Sequence, residues 1–302
     1  MKDLSPIVVF VYNRVDLAQK TIKALQQNDL AKESLLYVFS DAAKGAENIE
    51  DVEQVRNYIR KIDGFKNVEI FEAISNNGLG KSIINGVTKI LDKHPSVIVL
   101  EDDLISSPDF LDYTNNALEK YKNNDRIYST SGYFPPISIG NRNMNEVCFV
   151  PRISSLGWGI WKDRWLRNDW SIGSYKDFIK SREMKIRFSR AGKDMLQMLI
   201  NQVEGKSTAW AIKCDYNRYY NNDMLTVYPC ISKIQHIGND GRGTNTPKSD
   251  KLNVVLSDGS VKTHFDAVVE EDIDITANFK SFYTPSLKSE LVILLRRLGL
   301  YK

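Results

Sequence analysis

Val97-Ile98-Val99-Leu100-Glu101-Asp102-Asp103-Leu104 is an apolar, β-branched run that stops at three consecutive acids. A short continuous apolar run of this kind predicts a buried parallel strand. The acids then stand at its C-terminal end, where open α/β sheets bind ligands. Adjacent carboxylates repel one another unless a cation joins them. Hard oxygen ligands suit Mg²⁺ or Mn²⁺, above all where substrate phosphates complete the coordination. The stretch therefore predicts a metal–diphosphate site.

Working outward, the residues on either side alternate between strand and helix patterns. Strands are expected over 6–12, 35–40, 68–73 and 97–100, and helices over 15–27, 49–62 and 79–93. Such βαβα alternation predicts a mostly parallel sheet flanked by helices. Ser107-Pro108-Asp109 opens a further helix to about Tyr121, with proline in its first turn. Strands are expected over 126–131 and 147–152. All five tryptophans then fall between Trp158 and Trp210. Their clustering predicts a smaller second subregion, in which rings serve core packing or face a sugar.

Two polar positions share the sheet edge of the acids. Arg14 follows the first strand and is suited to a phosphate or a base. Asp41 follows the second and is suited to a uracil N–H. Gly78-Leu79-Gly80-Lys81-Ser82 invites comparison with a phosphate loop, but Ser75 stands where the pattern requires glycine. A helix start capped by Asn is the better reading. His236 leads into the polar, Gly-rich stretch 238–248 and is a candidate to approach the site. The three histidines give no spacing for a nucleophilic triad.

Bulk properties set bounds. The chain has 302 residues, 42% hydrophobic and 26% charged, enough for a large core. A formal charge of +3 gives no reason to expect a nucleic acid partner. Three cysteines without a C-x-x-C pair predict buried thiols in a reducing compartment. No leader pattern and no run of about 18 apolar residues is visible, so a cytoplasmic location is expected. Residues 287–302 read as a basic amphipathic helix that either docks on the protein or touches the inner face of a membrane.

Several segments together resemble one known family. Val99-Leu100-Glu101-Asp102-Asp103-Leu104, with Ser107 to Tyr113, looks like the acidic segment of the N-acetylglucosaminyltransferase I family. Ser155-Leu156-Gly157-Trp158 looks like its Gly-Leu-Gly-Trp segment. Tyr228 to Lys233 looks like its Pro-x-Ile-Ser segment, followed by its substrate-ordered loop. The order is kept over residues 6 to about 245, and the whole is also similar to bacterial GT-A sugar transferases. The resemblance implies a GT-A fold, Mn²⁺ (or Mg²⁺), a UDP-sugar donor and an inverting displacement. It implies that Asp103 ligates the metal, Asp102 holds the ribose and Glu101 lies by the donor sugar. Arg14 and Asp41 would contact the nucleotide, Gly157 and Trp158 would border the sugar pocket, and 238–246 would form a lid. One position departs. The family carries its catalytic Asp directly after a Trp, whereas Ala211 follows Trp210. Asp215, one helical turn on, is the substitute candidate base; Asp163 and Asp169 are others.

The resulting expectation is a glycosyltransferase domain over 1–250. It divides into a nucleotide-binding half over 1–105 and a sugar and acceptor half over 106–250, and 251–302 is an extension. The expected role is transfer of a hexosyl or N-acetylhexosaminyl group to a glycan or lipid-linked glycan in surface polysaccharide synthesis. The alternatives are a non-catalytic nucleotide-sugar binder and a nucleotidyltransferase that makes the donor. The latter usually has a Gly-rich loop after strand one, and Val11 to Val15 lacks the glycines.

Overall fold

The computed structural model describes residues 4–239, 249–266 and 268–285. The described strands are β1 (Ile7–Val11), β2 (Leu35–Ser40), β3 (Asn67–Glu72), β4 (Ser96–Glu101), β5 (Leu104–Ser106), β6 (Ile127–Ser131), β7 (Val147–Val150), β8 (Trp158–Trp161), β9 (Leu225–Pro229) and β10 (Ile234–His236). The helices are α1 (Val15–Gln26), α2 (Ile49–Ile59), α3 (Leu79–Leu91), α4 (Phe110–Tyr121), α5 (Lys162–Leu166), α6 (Tyr175–Lys180), α7 (Arg182–Phe188), α8 (Asp194–Val203), α9 (Trp210–Tyr220) and α10 (Ile273–Phe282).

Eight strands form one mixed, mostly parallel sheet in the order β3-β2-β1-β4-β8-β6-β9-β7. β1 to β4 are mutually parallel. β8 runs against both its neighbours, β4 and β6. β6 and β9 are parallel, and β7 closes the sheet antiparallel to β9. β5 and β10 make a separate antiparallel pair. The chain winds outward from β1 through β2 to β3, then returns to place β4 on the other side of β1. The winding therefore changes direction between β1 and β4, and ligands favour the crevice at that point.

The layers follow from side-chain alternation. All five residues of β1 are buried, as expected of a strand covered on both faces. Ile7, Val9 and Val11, with Ile98 and Leu100, meet Ala18, Ile22 and Leu25 of α1, Val55 and Ile59 of α2, and Phe110 and Leu111 of α4. Val8 and Phe10, with Val97 and Val99, meet Ile83, Val87, Ile90 and Leu91 of α3 and the rings of Trp158, Trp165 and Trp210. A third cluster joins Cys148 and Val150 of β7 to Phe178, Phe188, Met195, Leu199 and Phe279, forming a smaller helical subregion at the β7 edge. All three cysteines are free and buried.

Four of the five tryptophans are core, and Trp170 packs against them half-buried. Trp158, Trp161, Trp165 and Trp210 are each at most 5% exposed. Trp158 lies 5.8 Å from Trp165 and 5.1 Å from Trp210 between ring centroids.

The described residues after 248 pack along the sheet domain. Leu252, Val254, Phe265 and Val269 cover the first cluster. Tyr121 Oη donates to Asp266 O, and Arg126 Nη1 to Val269 O. Residues 286–302, where a basic amphipathic helix is expected, lie outside the described residues. Among the described residues no helix is long and apolar enough to cross a membrane.

One glycine carries a packing requirement that positions the site. Gly157, just before β8, has φ +63°, and a Cβ there would fall 2.5 Å from Ile234 Cγ1. Gly157→Ala is expected to lower stability by about 1–3 kcal/mol through backbone strain and overpacking. Urea denaturation checks this; an unchanged midpoint would contradict it.

Candidate active site

At the β1/β4 crevice the backbone aims two ends at one point. Arg14 lies just beyond the end of β1 and directly precedes α1; Asp102 and Asp103 follow β4 directly. Arg14 Nη2 donates to Asp102 Oδ1 at 2.7 Å and to Asp103 Oδ2 at 2.8 Å. Tyr12 N–H donates to Asp102 Oδ2 at 3.2 Å. The turn is fixed from α1, where Thr21 Oγ1 donates to Asp102 O at 2.8 Å and accepts from Leu104 N–H at 3.1 Å. Asp102 and Asp103 are buried, and Glu101, the last residue of β4, keeps part of its surface exposed while its carboxyl is largely shut from solvent.

The short β5–β10 pair brings a third element to the acids. His236 pairs with Leu104, and Ile237 N–H donates to Asp103 O at 2.9 Å. His236 Nε2 lies 3.4 Å from Asp103 Oδ2. Gly238 packs so closely that a Cβ would fall 2.2 Å from Asp103 Oδ2 and 2.9 Å from His236 Nε2. A side chain here would force the Asp103 carboxylate or the His236 ring to move.

The electrostatics differ for each acid. Burial raises Glu101 to about 8, Asp103 and Asp102 add to it, and Arg14 opposes. Burial raises Asp102 to about 6 against the nearby Arg14 charge. For Asp103 burial pulls the same way, but the hydrogen bond and charge of His236, then Arg14, outweigh it and hold the carboxyl below its ordinary value. Asp103 is thus the acid best kept ionised, as a metal ligand requires.

Orphaned polar atoms surround the pair. Arg14 Nη1, His236 Nδ1 and both amide atoms of Asn239 are buried with no partner among the described residues. Buried polar groups are normally satisfied, so a cluster of exceptions marks a place for a ligand or ion. Among the described residues no group of three or more His, Cys, Asp or Glu side chains forms a complete metal cage. Mg²⁺-like ions need less, since one or two carboxylates plus substrate phosphates suffice. Asp103 Oδ2, His236 Nε2 and the bare Gly238 cradle fit such an ion.

The remaining sequence candidates are placed as follows. Asp41 accepts from Ala42, Asn77 and Gly78 N–H, each at 2.9 Å, so its carboxylate closes the start of α3. The helix N-terminus that resembled a phosphate loop therefore already faces an anion. Gly157 and Trp158 lead into β8, where Trp158 pairs with Val99, two residues before Glu101. Asp215, on α9, is 4% exposed. Its Oδ1 accepts from Ile153 N–H at 2.9 Å and Arg218 Nε at 3.2 Å. Burial raises its pKa, opposed by Arg218 and Arg152. This carboxylate braces the chain leaving β7 and shares no hydrogen bond or ion pair with the acidic triplet among the described residues. Asp163 pairs with Arg164 and Arg167, and Asp169 caps its own turn through Ser171 and Gly173. Residues 240–246 of the expected lid lie outside the described residues.

No family model and no curated protein matches the chain. Among solved structures 202 chains match. S. aureus TarS, residues 1–349 with UDP-GlcNAc, is 14% identical over 75% of this chain and 58% of that one, with TM-score 0.39. The mannosyltransferase PcManGT from Pyrobaculum calidifontis, with GDP-Man and Mn²⁺, is 12% identical over 54% and 46%, TM-score 0.37. A cytidylyltransferase from Leptospira borgpetersenii is 10% identical over 55% and 63%, TM-score 0.32. The chain spans less than two thirds of the length of each. These likenesses are distant, and the chemistry of the site rests on its own residues.

Proposed function

We propose that this protein is a metal-dependent GT-A glycosyltransferase that takes a sugar from a nucleotide-diphosphate donor, a UDP-sugar, and passes it to a glycan acceptor. The observation that carries this reading is the Asp102–Asp103 pair at the β1/β4 crevice, with Arg14 on one side and His236 on the other. In this reading Asp103 and His236 hold the divalent ion. Asp102 takes the ribose, Glu101 lies by the donor sugar, and Gly157 and Trp158 form the pocket wall. Mn²⁺ or Mg²⁺, when bound, would neutralise charge on the departing diphosphate. Asp41 serves the nucleotide side indirectly, by fixing the loop before α3.

Asp215 is the proposed base for the acceptor hydroxyl: Ile153 N–H and Arg218 Nε both bond Oδ1, and Oδ2 is the oxygen proposed to take the proton. Asp215→Asn tests the assignment. A lost base cuts turnover about a hundredfold or more with the fold intact; a lost brace lowers the melting temperature and leaves the residual rate per folded molecule near wild type. Inversion at the anomeric carbon, a lipid-linked or surface glycan acceptor, and membrane contact through 287–302 belong to the same proposal. They are read out by product anomer analysis and vesicle flotation.

A second reading, a nucleotide-sugar binder without turnover, is favoured by the commitment of Asp215 to structural partners. Donor hydrolysis separates the two. Slow release of UDP with Mn²⁺ is expected for the transferase; binding with no release across UDP- and GDP-sugars supports the binder. The first experiment is a thermal shift with each nucleotide sugar, with and without Mn²⁺. A rise of several degrees that needs both components is expected, and no shift with any donor overturns the proposal.

A further inference from the structure

One nitrogen of Arg14, Nη2, spans both acids, at 2.7 Å from Asp102 Oδ1 and 2.8 Å from Asp103 Oδ2. The oxygen it takes on Asp103 is the one that faces His236 Nε2 at 3.4 Å and the bare Cα of Gly238. A divalent ion held by Asp103 and His236 would need that same oxygen. The other terminal nitrogen, Nη1, is buried with no partner among the described residues. The guanidinium therefore neutralises the acids with half of its fork idle.

We propose that Arg14 is a displaceable counter-cation: it closes the carboxylate pair in the free protein, yields Asp103 when a divalent ion is taken up, and turns its fork to the donor's diphosphate. This rests on the reading of the pair as a metal–diphosphate site. Two cations at one buried oxygen repel strongly, because the surroundings screen them less than water does. A guanidinium that leaves a carboxylate needs another anion, and a phosphate matches its planar fork. Ion and nucleotide are then coupled: each improves the affinity for the other by the same factor. Without nucleotide the ion must displace Arg14 with nothing to receive it, so binding of the ion alone is weak. The arrangement keeps the acids from loading metal when no donor is present.

The test measures Mn²⁺ binding by the loss of the free-ion EPR signal, with and without UDP. It uses wild type, Arg14→Gln, Arg14→Lys and Asp103→Asn, each first checked for folding by circular dichroism. Wild type is expected to bind Mn²⁺ weakly alone and more tightly with UDP. Arg14→Gln, which removes the competing charge, is expected to bind Mn²⁺ alone about tenfold more tightly and to gain little from UDP. Arg14→Lys keeps a charge and is expected to lie between them. An Arg14→Gln affinity for Mn²⁺ equal to or below that of wild type overturns the proposal. Should that variant fail to fold, wild type decides, since equal Mn²⁺ binding with and without UDP also overturns it. Asp103→Asn tells this failure from that of the underlying reading: if it keeps wild-type Mn²⁺ binding, the site itself is misassigned.

Discussion

Asp103→Asn is expected to lower turnover about a thousandfold, the scale on which removing one group that stabilises developing charge is felt. It should also abolish the Mn²⁺-dependent part of the donor's thermal shift. The fold should survive. Asn is isosteric, its amide oxygen still accepts from Arg14, and Arg14 keeps Asp102 at 2.7 Å. The backbone of the turn is held by Thr21 and Ile237, which do not involve the changed side chain. Steady-state assays with matched circular dichroism spectra check the expectation. A variant that keeps the full metal-dependent shift would remove Asp103 from the site.

The second large effect concerns stability. Arg218 is fully buried and donates to Asp215 at 3.2 Å, to Asp223 at 3.1 Å and to the carbonyl of Met224. Asp223 also accepts from Arg187 and Arg190, and Arg190 reaches Glu271. Arg218→Met keeps most of the volume but strands the Asp215 carboxylate in the interior. Breaking a buried pair from one side costs about 3–5 kcal/mol, far more than an exposed pair is worth. Urea denaturation should register a loss of that size. A loss below about 1 kcal/mol would mean that water or a rearranged Arg152 compensates Asp215.

The two halves of the chain differ in how legible they are. In the first hundred residues apolar runs are bounded by turn residues, and each strand or helix falls within a few residues of its expected place. The helix expected over 79–93 ends at Leu91, and the strand expected over 97–100 spans Ser96–Glu101. The acids and Arg14 could be placed at one sheet edge because each comes just after a buried strand. Beyond residue 131 the signals fade. β5 and β10 have three residues each and meet across about 130 positions of chain, so no local pattern announces them. That pairing delivers His236 to Asp103 and brings Gly238 against the same carboxylate. The Trp158–Trp161 strand hides among tryptophans that read as a cluster. The spacing that offers Asp215 as a stand-in base does not announce its ion pair with Arg218, three residues on along the same helix face.

β8 is reversed between β4 and β6, so it presents its first residues where its antiparallel neighbour β4 presents its last. The ladder anchors Trp158 to Val99, while Ser154, Ser155 and Leu156 ride ahead of it on the rim. On the proposed reading, cohesion and donor selectivity are thereby divided along one short stretch of chain. If the proposed transferase reading holds, a library confined to those three positions is expected to change donor preference while leaving the hydrogen-bonded scaffold beneath it undisturbed.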